Sequence, residues 1–122
     1  MHTTQLDSAT VTEVESTVRD YFEGWYDADA DRMARALHPA LAKRTQEDEP
    51  DVRTTTRDRM IELTAAGQGR QDGARRALEI TVADIHGAIA TVVVRSAVYR
   101  EYLHLVRRDE GWRIVNALWA AS

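Results

Sequence analysis

Glu101 is the residue whose surroundings most suggest chemistry. It stands in Tyr99-Arg-Glu-Tyr-Leu-His-Leu-Val106, and a polar turn ending at Gly111 leads on to Trp112-Arg-Ile-Val-Asn-Ala-Leu-Trp119. Two strand-like runs joined by so short a turn read as a β-hairpin. With Arg108 to Gly111 as the turn, Arg107 pairs with Trp112, and each further pair keeps the same sum of residue numbers. Leu105 then faces Ile114, Leu103 faces Asn116 and Glu101 faces Leu118. One face holds Glu101, Leu103, Leu105, Trp112, Ile114, Asn116 and Leu118; the other holds Arg100, Tyr102, His104, Val106, Arg113, Val115, Ala117 and Trp119. A bulge anywhere in the hairpin exchanges these assignments locally.

A carboxylate among leucines reaches solvent at the sheet's end, joins a structural salt bridge, or serves acid–base chemistry from an apolar pocket. Asn116 on the same face either orients a ligand carbonyl or is a satisfied core amide. His38, beside a helix end and Pro39, is a capping or surface residue or else a second pocket group, and Tyr21 can offer a phenol. The opposite face, with Tyr102, His104 and Trp119 among small apolar residues, has the composition of a protein interface.

Other chemistries find little support. Asp27-x-Asp29-x-Asp31 has three acidic positions of a calcium loop, but Arg32 and His38 stand where such a loop needs Gly and a bidentate Glu. That segment reads as a turn and helix cap. Gly67-x-Gly69-x-x-x-Gly73 misses the dinucleotide spacing by one residue and follows a helix, so it reads as a flexible loop. The four histidines never fall at i, i+4 on one helix, there is no cysteine, and no Gly-x-Ser-x-Gly elbow occurs. Neither a metal site nor a cofactor is expected.

The elements that would position Glu101 come earlier in the chain. Thr10-Val-Thr-Glu13 forms a capping box, and Val11, Val14, Val18, Tyr21, Phe22 and Trp25 recur at helical spacing on one broad stripe. Gly24 weakens that helix by about 1 kcal/mol relative to Ala. A second helix runs from about Asp29 to Leu37 and stops at His38-Pro39. Residues 41 to 55, with a Glu-Asp-Glu-Pro turn, read as a weak exposed hairpin. Thr55 or Thr56 caps a third helix through Met60, Ile61 and Leu63. From Leu78 the period becomes two, giving a strand with one wet face, and His86-Gly87 turns the chain into an interior strand from Ala88 to Arg95 that is apolar on both sides.

The 122 residues make one domain, taken as 10–122 behind a disordered or extended arm at 1–9. A net charge of −4, with 16 scattered basic residues of which one is Lys, argues against nucleic-acid binding. No run is long and apolar enough for a membrane span. The first residues lack the basic and apolar regions of a secretory signal, and with zero cysteines this points to the cytoplasm.

Val18-x-x-Tyr-Phe-x-Gly-Trp25, Leu37-His-Pro39, Met60 with an Ala-Gly67 helix end, Tyr102-Leu-His-Leu and Gly111-Trp-Arg-Ile-Val-Asn-x-Leu-Trp119 together resemble the nuclear transport factor two-like superfamily. Within it the pattern is most similar to small bacterial proteins grouped as lumazine-binding and to their SnoaL and ketosteroid-isomerase-like relatives. The resemblance covers about residues 10 to 120. It implies an α+β cone, three helices packed on a curved antiparallel sheet, with an apolar pocket inside and a homodimer through the sheet's outer face.

That scaffold hosts isomerases, dehydratases, cyclases and binders alike, so the fold does not select a reaction. Ketosteroid-isomerase-like members pair a sheet carboxylate with a Tyr/Asp oxyanion site; here Tyr21 and Glu101 are available but no second buried acid is visible. The expectation is a small-molecule pocket lined by Tyr21, Trp25, Met60, Leu103, Asn116 and Leu118. The alternatives are a cofactor-independent isomerase, lyase or cyclase using Glu101 with His38 or Tyr21, and a dimeric assembly module with a filled cone. Tyr102, His104 and Trp119 are expected at the dimer interface.

Overall fold

The computed structural model describes residues 7–47 and 54–122. The chain opens with α1 (Ser8–Asp27) and α2 (Ala30–Ala36), enters β1 (Leu37–Arg44), and returns to helix in α3 (Arg57–Ala65). A 3-10 turn at Gly73–Arg76 then leads into β2 (Leu78–His86), β3 (Ile89–Ser96), β4 (Tyr99–Arg108) and β5 (Gly111–Ala121). The five strands form one open curved sheet in the order β1-β5-β4-β3-β2. Three helices on a curved sheet are the α+β cone that the sequence implied.

Each helix start has a side-chain cap. Asp7, rather than Thr10, caps α1: its carboxylate accepts from both the amide and the hydroxyl of Thr10. The helix therefore begins earlier than the capping box suggested, because an aspartate one turn upstream already satisfies the first orphan donors. Asp29 caps α2 by accepting from the Arg32 amide, and Thr56 caps α3 by accepting from the Arg59 amide. Residues 1–6 of the expected arm, and most of the Glu-Asp-Glu-Pro turn, lie outside the described residues.

The apolar stripe of α1 buries Val14, Val18, Tyr21 and Phe22 against the inner face of the sheet, where Val92, Val94, Leu103, Leu105, Trp112 and Ile114 are equally covered. Each fully buried side chain of this size contributes about 1.5–3 kcal/mol relative to exposure. Thr17 adds a polar tie by donating its hydroxyl to the Trp112 carbonyl at 3.1 Å. Arg32 holds α2 against α1 through Asp20 at 3.0 Å and Glu23 at 2.9 Å. At Gly24 a Cβ would stand 3.1 Å from both the Arg32 Cβ and the Met33 amide, so the glycine that weakens α1 locally lets α2 approach it.

Two features differ from the sequence reading. Residues 37–44 form a strand whose partner is β5, and that pairing is parallel, which makes the sheet mixed rather than wholly antiparallel. The expected hairpin at 41–55 reduces, among the described residues, to one antiparallel bridge between Lys43 and Thr55. The terminal hairpin keeps its predicted register from Arg107–Trp112 to Leu105–Ile114, and then Val115 is bulged out. Beyond the bulge Leu103 pairs with Ala117 and Glu101 with Trp119, so every later side chain of β5 changes face. Ala117 is buried, whereas Asn116 and Leu118 are exposed on the outer side. A single extra residue has this effect because side chains alternate with period two.

Candidate functional site

Glu101 points inward from β4 between Val94 of β3 and Trp119 of β5, and is only 2 % exposed. Burial of a carboxylate at this depth requires partners. Tyr21 supplies the first: its hydroxyl donates to Glu101 Oε2 at 2.5 Å. The second is Lys43, whose Nζ lies 3.7 Å from the same oxygen and donates to the Tyr21 hydroxyl. The phenol of α1 thus bridges an ammonium from β1 and a carboxylate from β4.

Lys43 reaches this point because β1 runs beside β5. Leu41 and Lys43 face inward, while Ala42 and Arg44 pair with the outward-facing Asn116 and Leu118. The ammonium then sits among aromatic rings, 5.0 Å from the Tyr21 centroid, 5.9 Å from Trp25 and 5.7 Å from Trp119. Such contacts favour a cation over an aromatic face. They do not replace bulk hydration, and burial holds the Lys43 ammonium below its ordinary 10.5 despite the pull of Glu101. The Tyr21 phenol moves the other way, well above 10.0, first because it is buried and then because Glu101 is beside it.

Above the cluster is a cavity of about 100 Å³ lined by Tyr21, Phe22, Trp25, Lys43, Tyr99, Glu101 and Trp119. Its walls are fixed by further contacts. Trp25 Nε1 donates to the Tyr99 hydroxyl at 3.2 Å, and Tyr99 meets Trp119 edge to face with centroids 5.7 Å apart. The far side of the Trp25 indole rests on buried Gly69, where a Cβ would fall inside the ring. The glycine loop expected to be merely flexible therefore backs one wall of the cavity.

A wider hollow of about 350 Å³ lies on the outer face, bounded by Asp84, His86, Ile89, His104 and Asn116 among others. It is an open concavity of the sheet, and among the described residues that line it no charged group is buried. The buried Glu101 carboxylate and the largely covered Lys43 ammonium both line the smaller inner cavity instead.

Of the residues singled out from the sequence, the structure brings Tyr21, Trp25 and Glu101 together around that cavity. Met60 and Leu103 are buried in the core without lining it. Asn116 and Leu118 lie across the sheet on the outer face, and Asn116 contacts His104 at 3.3 Å. His38 is remote from the cluster: its Nδ1 accepts from the Ala40 amide, and burial together with the nearby Arg108 lowers its pKa. Trp119, expected outside, is a cavity wall.

The residue missed altogether was Lys43. Its signal was composition: it is the one lysine among 16 basic residues. Phe22 and Tyr99 are also part of the lining.

The family model described as "putative lumazine-binding" matches residues 9–120. No curated protein matches the chain by sequence. Solved structures are similar in fold at low identity. An NTF2-like protein of unknown function from Silicibacter pomeroyi superposes with a TM-score of 0.77 at 14 % identity, over 97 % of this chain and 100 % of that one. A ketosteroid isomerase-like protein from Erwinia carotovora atroseptica gives 0.70 at 15 %, over 94 % and 98 %. An NTF2-like superfamily protein from Salmonella enterica serovar Typhimurium gives 0.64 at 12 %, over 93 % and 92 %.

Proposed function

Because the chain belongs to the "putative lumazine-binding" family and has the NTF2-like fold, we propose that it binds a compact, partly apolar small molecule in the inner cavity. The observation that carries this reading is the Tyr21 hydroxyl bridging Glu101 and Lys43 at the base of an aromatic-walled cavity. Ligand sites commonly combine apolar walls with a few convergent polar groups. The cluster supplies a carboxylate acceptor and an ammonium donor, and Trp25, Tyr99 and Trp119 supply flat surfaces for an unsaturated ligand. A pure assembly module would fill this space with side chains, so the cavity weighs against that alternative.

The test is a small-molecule screen read by thermal shift and by the indole N–H resonances. A ligand of this site stabilises the fold and perturbs Trp25 and Trp119 while leaving the core indole of Trp112 in place. Stabilisation without perturbation at Trp25 and Trp119 would sink the assignment of the site.

The close Tyr21–Glu101 contact favours a second reading, an isomerase or lyase in which Glu101 removes a proton and the Tyr21 O–H, released from the carboxylate as it is protonated, turns to steady the developing oxyanion. Turnover lost in Glu101→Gln with ligand binding retained would distinguish it from binding alone.

The proposal includes a homodimer through the outer face. Tyr102 and Leu118 are about half exposed there, beside His104. Large apolar groups on a sheet face call for a cover.

A further inference from the structure

The chain carries fifteen arginines and a single lysine, and among the described residues that lysine is the one basic side chain lining the inner cavity. If the role of position 43 were only to neutralise Glu101, arginine would serve at least as well. Its planar fork matches a carboxylate bidentately and is more weakly hydrated, so its burial is less unfavourable. An amine differs from a guanidinium in one decisive respect: it can lose a proton at accessible pH and become a nucleophile.

Everything such a nucleophile needs surrounds Lys43. Glu101 Oε2 lies 3.7 Å from Nζ and the Tyr21 hydroxyl lies between them. Aromatic side chains exclude water on three sides, and the Lys43 side chain is 13 % exposed, so it is covered without being sealed. We propose that Lys43 condenses with a small aldehyde or ketone in the cavity to form an imine. This rests on the reading of the cavity as a ligand site and names the class of ligand.

The step balances without any further reagent. Lys43 passes one proton to Glu101, and its lone pair forms a C–N bond as the carbonyl π pair moves to oxygen. A proton shift from nitrogen to that oxygen gives the carbinolamine. Nitrogen then expels the hydroxyl group, which leaves as water with the proton held on Glu101. The protonated imine that results restores the ion pair with the carboxylate. Burial, which holds the Lys43 ammonium below its usual range, favours the first transfer.

A single lysine makes the test clean, because the only other primary amine is the α-amino group of the chain. The full chain is treated with butanal and sodium cyanoborohydride near neutral pH, and labelling at each amine is followed by peptide mass mapping. Butanamide, which keeps the carbonyl but forms no imine, is titrated in parallel against the Trp25 and Trp119 indole resonances. The expected result is labelling at Lys43 at least tenfold faster than at the α-amino group, and slowed severalfold in Glu101→Gln and Tyr21→Phe. Labelling of Lys43 no faster than the α-amino group overturns the proposal. In that event, indole shifts with butanamide leave the ligand-site reading standing, and their absence removes both.

Discussion

Tyr21 and Glu101 are joined by a 2.5 Å hydrogen bond across 80 positions of sequence, the phenol from the first helix reaching a carboxylate on the fourth strand. The same hydroxyl receives Lys43 from the first strand. Removing it in Tyr21→Phe leaves a buried carboxylate and a largely buried ammonium short of a hydrogen-bond partner. The expected loss of stability is about 1–3 kcal/mol, read as a lower denaturant midpoint with an unchanged slope. A loss within a few tenths of a kcal/mol would mean that water replaces the hydroxyl without penalty.

Lys43 and Glu101 should also be coupled. Breaking a fully buried pair by removing one partner costs about 3–5 kcal/mol, whereas replacing both with apolar groups is often neutral. The partial exposure of Lys43 brings the single variants toward the lower end. Lys43→Met and Glu101→Leu are therefore each destabilising, and the double variant loses clearly less than the two losses combined. Additive losses would show that the two charges are solvated independently.

The alkaline limb of stability carries opposite signatures from Tyr21 and Lys43. In the folded chain the Tyr21 phenol titrates well above 10.0, so its stabilising contribution is complete below that pH and is lost as pH rises toward the folded value. The folded Lys43 titrates below 10.5, so its contribution is present above 10.5 and is lost as pH falls through the folded value. Tyr21→Phe should consequently flatten the fall in stability above pH 10, and Lys43→Met should remove a rise in stability as pH climbs from the folded lysine value to 10.5. Denaturant midpoints measured across the alkaline range give both slopes, and a change of the same sign in the two variants would contradict these assignments.

Much of the scaffold was legible from local signals: the helical stripe of α1, the Asp29 and Thr56 caps, and the alternation of β2. The hairpin register was legible only up to Val115. Ile114, Val115, Ala117, Leu118 and Trp119 are all apolar, so their pattern has no parity that could reveal one extra residue. With the register went the placement of Asn116, Leu118 and Trp119. β1 was hidden for another reason: Pro39, two alanines and a Lys-Arg end give it weak strand propensity. What makes it a strand is a parallel partner more than seventy residues away, and no local pattern places Lys43 beside Glu101.

The outer face yields a prediction of its own. The bulge places Leu118 beside Tyr102 there and turns Trp119 inward, so Leu118→Glu should disrupt the proposed homodimer and Trp119→Ala should leave it intact. Sedimentation of the unaltered chain as a monomer at micromolar concentration would remove the dimer from the proposal.

Gly24 and Gly69 should resist alanine for different reasons. In a free helix, Gly24→Ala gains about 1 kcal/mol of propensity. Here its Cβ meets the Met33 amide at 3.1 Å and the Asp29 carbonyl at 3.2 Å, backbone atoms that move only if α2 moves. The net effect should be destabilising, with the thermal midpoint lowered and the cavity indoles unchanged. Gly69→Ala instead pushes directly on the Trp25 ring. It should shift the Trp25 indole resonance, weaken its hydrogen bond to Tyr99, and reduce binding of any cavity ligand more than it reduces stability. If Gly69→Ala left the Trp25 resonance in place, the loop would not be the support of that wall, and the link between the glycine segment and the site would fail.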